Sequence, residues 1–298
     1  MINRLSNTIG FRLRYFRIPA RLGHFHDPKF PGPTLEDPIS QLCTESQFFT
    51  KTYNDWCAQI KEEPLLHRKQ WEYAYILQAM RENDMLRSNR TGLGFGIGKE
   101  PLAAVMVNYG CSLLVSDLDE ETADAHGWVE TNQFSDGLSG LNERGICGQS
   151  LFKQQVTYQT IDMNRIPESV MQEEFDFVWS SCSLEHLGSL PQSIEFVLNS
   201  LRCLKPGGIA IHTTEYNISS NWDTLDRGST VLLRRRDIAA LQVAVSKLGC
   251  RMIFNPNYGD GPHDLSFDES PYASSPHVKL LIGPYVCTSV GLIIRKSK

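Results

Sequence analysis

The 298-residue sequence predicts an α/β fold: a seven-stranded, mostly parallel sheet with an antiparallel last strand, helices on both faces and an N-terminal helical extension. Three observations predict it. After Asn89, short apolar runs alternate with helical stretches, the rhythm of strands joined by right-handed helical crossovers. A glycine cluster, Gly94-Phe95-Gly96-Ile97-Gly98, stands between the first of these strands and the first of these helices. The last two apolar runs, 251–254 and 286–294, have no helical pattern between them, as expected where an antiparallel strand closes the sheet.

The elements follow in order. Pro28, Pro31, Pro33 and Pro38 crowd residues 25–38, which therefore read as an extended arm. From 41 to 87, Phe48, Tyr53, Trp56 and Ile60, then Trp71, Tyr75, Leu77 and Met80, recur near helical spacing, with Pro64 separating two helices. Residues 1–87 are thus expected to be a basic arm and helical lid, and 88–298 the main domain. Strands are expected at 92–95, 112–115, 156–160, 175–179 and 209–212, and helices at 102–109, 190–204 and 236–248. A turn is expected at Pro206-Gly207-Gly208, and 120–154 shows only weak helical signal.

Composition bounds the class. Hydrophobic residues are 41% and charged residues 21%, ordinary globular usage that excludes a disordered chain, a fibre and a coiled coil. With 29 Lys and Arg against 34 Asp and Glu, the net charge of −5 disfavours nucleic acid as a partner. No run approaches the ~18 apolar residues of a membrane span. The 8 cysteines show no paired spacing and read as reduced, buried thiols of a cytoplasmic protein. Arg4, Arg12, Arg14, Arg17 and Arg21 with no acid among them are compatible with a targeting peptide, but a basic arm is the preferred reading.

The glycine cluster carries the strongest chemical signal. Glycines let the backbone turn sharply and approach a cofactor with no side chain between. A dinucleotide fingerprint starting at Gly94 would need a small residue at Lys99, and one starting at Gly92 would need it at Ile97, so a nicotinamide oxidoreductase is disfavoured. Asp117 closes the second strand, where a carboxylate can accept hydrogen bonds from both hydroxyls of a ribose. Asp162 follows the third strand and can meet an adenine amino group; strand-end caps are the plain alternative for both acids.

The strings GFGIG (94–98), LLVSD (113–117), TIDM (160–163), FDFVWSSCSLEHLGS (175–189) and LKPGGIAIHTTEYN (204–217) resemble, in order and spacing, the class I S-adenosylmethionine (SAM) methyltransferases. With HRKQWEYAYIL (67–77), the wording resembles a bacterial subgroup associated with polysaccharide biosynthesis. The resemblance implies a Rossmann-like sheet of seven strands, the last antiparallel, and SAM as cofactor. It assigns the cofactor to Gly94, Phe95, Gly96 and Gly98, Asp117 and Leu118, Asp162 and Met163, and Ser181. There is one departure: family members carry Asp or Glu two residues before the first glycine, where this sequence has Gly92. Glu100 or Glu72 would have to serve the amino group of the cofactor instead, or that contact is missing.

Methyl transfer to a hydroxyl needs in-line positioning and a general base. His186 and His212 are the candidates, each following a strand, with Glu185 and Glu215 to orient them or act directly. A buried structural histidine is the competing reading for each. A divalent ion on His186, His212, Glu215, Asp260, His263 and Asp264 lacks any tight ligand spacing, so no metal is expected. The Pro-, Gly-, Asp- and Tyr-rich loop 255–284 suits a carbohydrate, which offers hydroxyls and a ring to stack on. Arg234-Arg235-Arg236 reads as a solvated helix start. The expected function is SAM-dependent O-methylation of a carbohydrate or glycan-like hydroxyl, with a homo-oligomer left open. A different small molecule or a nitrogen as acceptor, or a non-catalytic binding protein on the same fold, are the alternatives.

Overall fold

The computed structural model describes residue 27 and residues 29–118, 137, 138 and 140–298. The Arg-rich start and most of the stretch 120–154 lie outside these residues. Strand β1 (Ser40–Leu42) enters the sheet near its far edge, where it pairs antiparallel with the final strand. Helix α1 (Lys51–Gln59) starts at Thr50, whose Oγ1 accepts from the Tyr53 N–H. Helix α2 (Arg68–Glu82) starts at His67, whose Nδ1 accepts from the Lys69 N–H. Then come β2 (Thr91–Phe95), α3 (Leu102–Asn108), β3 (Ser112–Asp117), α4 (Gln149–Gln155), β4 (Val156–Thr160) and β5 (Phe175–Ser181). Helix α5 (Leu190–Ser200), β6 (Leu204–Asn217), α6 (Arg235–Lys247), β7 (Cys250–Met252), β8 (Phe254–Asn255), β9 (Leu280–Ile282) and β10 (Tyr285–Lys296) complete the described elements.

The sheet order is β4-β3-β2-β5-β6-β10-β1-β8, with β7 and β9 also pairing with β10. β2 to β6 are mutually parallel, and β10 runs antiparallel to β6. The expected Rossmann-like α/β class is therefore present, with ten strands among the described residues in place of seven. The extra ones are short edge pieces, β1 among them, too brief for a periodic signal. The turn expected at 206–208 lies within β6: Gly207 takes φ +80° and the strand pairs on, through a register shift opposite Phe175–Phe177.

Side-chain parity divides the core. Phe177, Trp179, Ile209 and Ile211 face α1, α2, α3 and α4, whereas Leu93, Phe95, Val178 and Ala210 face α5 and α6. The first face is crowded with rings, and glycine makes room for them. A Cβ on Gly92 would lie 2.2 Å from the Phe177 ring, one on Gly94 2.4 Å from Trp179, and one on Gly291 2.0 Å from Tyr75 of α2. Core and sheet run across residue 87: β1 is a sheet strand, and α1 and α2 bury Trp56, Trp71 and Tyr75 completely. The proline-rich arm lies along the domain, where Asn255 and Asn257 donate to the carbonyls of Pro31 and Phe30. All eight cysteines are free thiols, seven of them buried, as the scattered spacing predicts. Among the described residues no helix is long and apolar enough to cross a membrane.

At the amino ends of the parallel strands, Asp176 ties three of them together. Its carboxylate accepts from Arg90 Nη1 (2.7 Å), the Thr91 N–H (3.0 Å), Thr91 Oγ1 (2.9 Å) and Lys205 Nζ (2.9 Å). Burial alone would raise the carboxyl pKa, but these donors outweigh it and hold it below the ordinary range. Asp176→Ala is expected to lower the unfolding free energy by about 2–3 kcal/mol in urea titration. It is expected to do so without changing ligand affinity, because the node lies at the opposite end of the strands from the site.

Candidate active site

The carboxyl ends of β2 to β5, the start of α2 and the segment before β9 enclose one cavity of about 960 Å³. Its floor is the glycine turn. Gly96 and Gly98 have φ of +56° and +48°, and a Cβ on Gly96 would come within 2.9 Å of Ser183 and 3.0 Å of Met163. Asp117 holds the turn to β3: its Oδ2 accepts from the Gly98 N–H (3.0 Å) and its Oδ1 from the Leu118 N–H (2.9 Å). Asp162 caps the short turn after β4 by accepting from the Asn164 N–H (2.8 Å). Glu100 is 4% exposed, reaches the same wall and accepts from Trp179 Nε1 at 2.6 Å. Burial pushes its carboxyl up to about 8, against the opposing effect of the indole N–H.

The opposite wall is polar and densely charged. Glu72 of α2, wholly buried, accepts from Thr213 Oγ1 (2.8 Å), Ser181 Oγ (3.4 Å) and Ser289 Oγ (2.5 Å). Arg68 bridges it to Glu215, with Nη1 2.6 Å from Glu215 Oε1 and 3.4 Å from Glu72 Oε1. Glu185 Oε2 accepts from Thr214 Oγ1 at 3.0 Å. Three buried atoms here, Arg68 Nε, Glu185 Oε1 and Glu215 Oε2, have no hydrogen-bond partner among the described residues. Burial and the nearby Glu185 raise the Glu215 carboxyl pKa, and Arg68 counters them in part. His186 places Nδ1 2.6 Å from the Ser229 carbonyl oxygen, which makes Nδ1 the protonated nitrogen and Nε2 the basic one; Nε2 is 4.0 Å from Glu185 Oε1.

Of the residues expected to meet the cofactor, Gly96, Gly98, Asp117, Leu118, Asp162, Met163 and Ser181 line the cavity. Gly94 and Phe95 do not. Gly94 lies beneath the Trp179 ring, and Phe95 points to the other face of the sheet, edge-on to Phe196 at 5.3 Å. Of the expected catalytic residues, the cavity brings together Glu185, His186 and Glu215, but not His212. That imidazole is fully buried in the α5 face, between Ser180 Oγ (2.8 Å to Nδ1) and Ser200 Oγ (3.1 Å to Nε2), a core histidine with both nitrogens satisfied. The six residues weighed as metal ligands do not gather. Among the described residues, Cys182, Glu185 and Glu215 are the group whose ligand atoms lie within 4.8 Å of one another.

Sequence reasoning missed two further imidazoles at the cavity, His67 and His277. His277 Nδ1 is 2.7 Å from Asp268 Oδ2, and its ring stacks on His67 at 4.8 Å and meets Tyr272 edge-on. The polar composition of 255–284 marked the segment, but nothing in the sequence joins it to the start of α2.

Residues 93–212, which span the glycine turn and the strands that hold it, match the family described as a methyltransferase domain. The match covers fewer than half of the chain's 298 residues. SAM is the methyl donor of that domain, and the cavity fits it: side-chain-free backbone at Gly96 and Gly98 beside a strand-end carboxylate at Asp117. No curated protein matches the chain significantly in sequence. Among solved structures it is similar to magnesium protoporphyrin IX methyltransferase from Synechocystis PCC 6803 with bound SAM, at 12% identity over 84% of this chain and 94% of that one (TM-score 0.44). It is also similar to a SAM-dependent methyltransferase from Mesorhizobium loti, at 14% identity over 73% and 96% (TM-score 0.44). A further similar structure is the CurJ carbon methyltransferase, at 15% identity over 78% of this chain (TM-score 0.44), of which the chain spans 54%.

The burial of His212 has a consequence for stability. Burial lowers its pKa from the ordinary 6.5 to about 3, so the unfolded chain binds the proton more readily than the native one. The stability this neutral imidazole contributes is complete above pH 6.5 and is lost as pH falls toward 3, at about 1.4 kcal/mol per pH unit. Urea unfolding measured between pH 7 and 4 is expected to show that slope, and His212→Asn to flatten it. An unchanged slope in the variant would assign the acid sensitivity elsewhere.

Proposed function

We propose that the protein is a SAM-dependent O-methyltransferase whose acceptor is a carbohydrate or glycan-like hydroxyl, with polysaccharide biosynthesis as its setting. The observation that carries this reading is the His186–Glu185 pair. The Ser229 carbonyl fixes the imidazole tautomer, and the Glu185 carboxylate stands 4.0 Å from the basic nitrogen. SAM supplies an electrophilic sulfonium methyl, so the protein need only place a hydroxyl in line and take its proton. In this reading His186 Nε2 accepts the hydroxyl proton as the oxygen attacks, and Glu185 stabilises the imidazolium that results.

Glu185 Oε1 and Glu215 Oε2 are acceptors without donors among the described residues, suited to neighbouring hydroxyls of a polyhydroxylated ligand. Tyr272, 45% exposed with its hydroxyl donated to the Leu281 carbonyl, offers a fixed aromatic ring at the mouth on which a sugar can stack. Asp117 serves the ribose hydroxyls and Asp162 the adenine end. Glu215 positions Arg68 and the acceptor. No nucleic acid enters this reading.

The reading is tested by incubating the protein with SAM and a panel of mono- and oligosaccharides and locating the added methyl group by mass spectrometry. Methylation confined to nitrogen compounds, or none on any sugar, would sink the carbohydrate assignment. Asp117→Ala is expected to weaken SAM binding by about 1–3 kcal/mol in calorimetry. His186→Ala is expected to leave SAM affinity within about twofold while lowering turnover by about 100-fold or more. If His277→Ala causes that loss and His186→Ala does not, the base is the Asp268-held imidazole.

A further inference from the structure

The sequence lacks an acid at Gly92, and the structure explains why none can stand there. Residue 92 is paired with Phe177, and any Cβ at 92 would overlap the Phe177 ring. The neighbouring pair repeats the arrangement, with Trp179 filling the space above Gly94. The rings of β5 thus occupy the volume that a side chain pointing from β2 would use. A cofactor with an α-ammonium group is held most strongly where an anion stands beside the glycine turn.

Two acids were open for that role, and their surroundings separate them. Glu72 is saturated by Thr213, Ser181, Ser289 and Arg68, and is not part of the cavity wall. Glu100 is on the wall, two residues past the last glycine of the turn, and among the described residues its side-chain donor is the indole of the ring that excludes a side chain at Gly94. Asp117 is already tied to the turn at Gly98 and Leu118, and Glu185 and Glu215 belong to the wall beside Arg68 and His186.

We infer that Glu100, held by Trp179, is the anion that binds the α-ammonium of the cofactor, in place of an acid on β2. Trp179 is a positioning residue: it closes the space on β2 and aims the carboxylate that replaces it. The charged groups acting on Glu100 are Lys69 and Glu72 from α2 and Asp117 from β3. Burial outweighs the Trp179 indole and Lys69 and keeps the Glu100 carboxyl protonated at neutral pH in the absence of a cation, with a pKa of about 8. An arriving ammonium favours the ionised form, so binding expels the proton.

The inference rests on SAM being the cofactor, and the test separates the two. Calorimetry at pH 7 compares S-adenosylhomocysteine, which has the amino-acid tail, with 5′-methylthioadenosine, which keeps the nucleoside and lacks the ammonium. Glu100→Gln retains a side-chain oxygen for the Trp179 indole. It is expected to weaken S-adenosylhomocysteine by about 10- to 100-fold and methylthioadenosine by less than about twofold. In buffers of different ionisation enthalpy, the unmutated protein is expected to release about one proton on binding S-adenosylhomocysteine and almost none with methylthioadenosine. Equal affinity of Glu100→Gln for S-adenosylhomocysteine, or equal losses for both ligands, would overturn the role of Glu100. Failure of the unmutated protein to bind either nucleoside would overturn the cofactor assignment itself.

Discussion

Glu72 is the group on which the arrangement of the site depends. A carboxylate with no solvent exposure is costly unless every lone pair is met, and this one is met from three strands at once. Ser181 ends β5, Thr213 lies in β6 and Ser289 in β10, so one side chain from α2 pins the helix across the carboxyl ends of the central strands. That crossing brings the first turn of α2 to the cavity. Arg68 then stands between Glu72 and Glu215 as a shared counter-ion, and Lys69 leans toward the Ser181 carbonyl. The node satisfies Glu72 fully but, among the described residues, leaves Glu215 and Glu185 each with one unmet oxygen. The unmet capacity falls where a ligand would be bound, the usual reason native proteins tolerate it.

The same helix is seated by shape. Tyr75 lies over Gly291, and Phe177 and Trp179 spread over Gly92 and Gly94 on the same face of the sheet. Three strand glycines, each a local cost in a sheet, are offset by the area of the rings that cover them. The packing also explains the chemistry that is absent: β2 cannot present a side chain on this face, so the anion near the glycine turn comes from the loop beyond it. Packing on one face and charge on the cavity wall are thus one constraint, set by Phe177 and Trp179.

How legible this was in the sequence depended on the range of the forces involved. The parallel strands and α3, α5 and α6 were readable because each buries a continuous apolar run or stripe, and the strand at 156–160 is found with those bounds. β1 was not, since three residues beside a proline-rich arm carry no period, and they are a strand only because β10 and β8 accept them. His186 and His212 looked alike, each polar after an apolar run. Parity and strand length separate them. β6 does not end at residue 212 but continues to Asn217 against β10, so His212 sits mid-strand and faces α5, while Thr213 and Glu215 face α2. The His67–His277 stack joins positions far apart in sequence through a loop without periodicity, which no local pattern encodes.

The cavity wall carries more acids than lysines and arginines, and burial moves two of them, Glu100 and Glu215, toward their neutral forms. Such a wall is tolerable when empty, because protons relieve the repulsion, and it becomes an anionic lining when a cation enters. A sulfonium donor brings two positive charges, the sulfonium itself and the α-ammonium, whereas the demethylated product keeps only the second. An acid-lined wall therefore binds the donor more strongly than the product, a difference that opposes product inhibition and favours exchange after each transfer. Arg68 and Lys69 do not cancel this bias. They are held on the α2 side by Glu72 and Glu215, and on the glycine-turn side Glu100 and Asp117 outnumber Lys99. The separation of charge along the cavity follows directly from where α2 crosses the sheet.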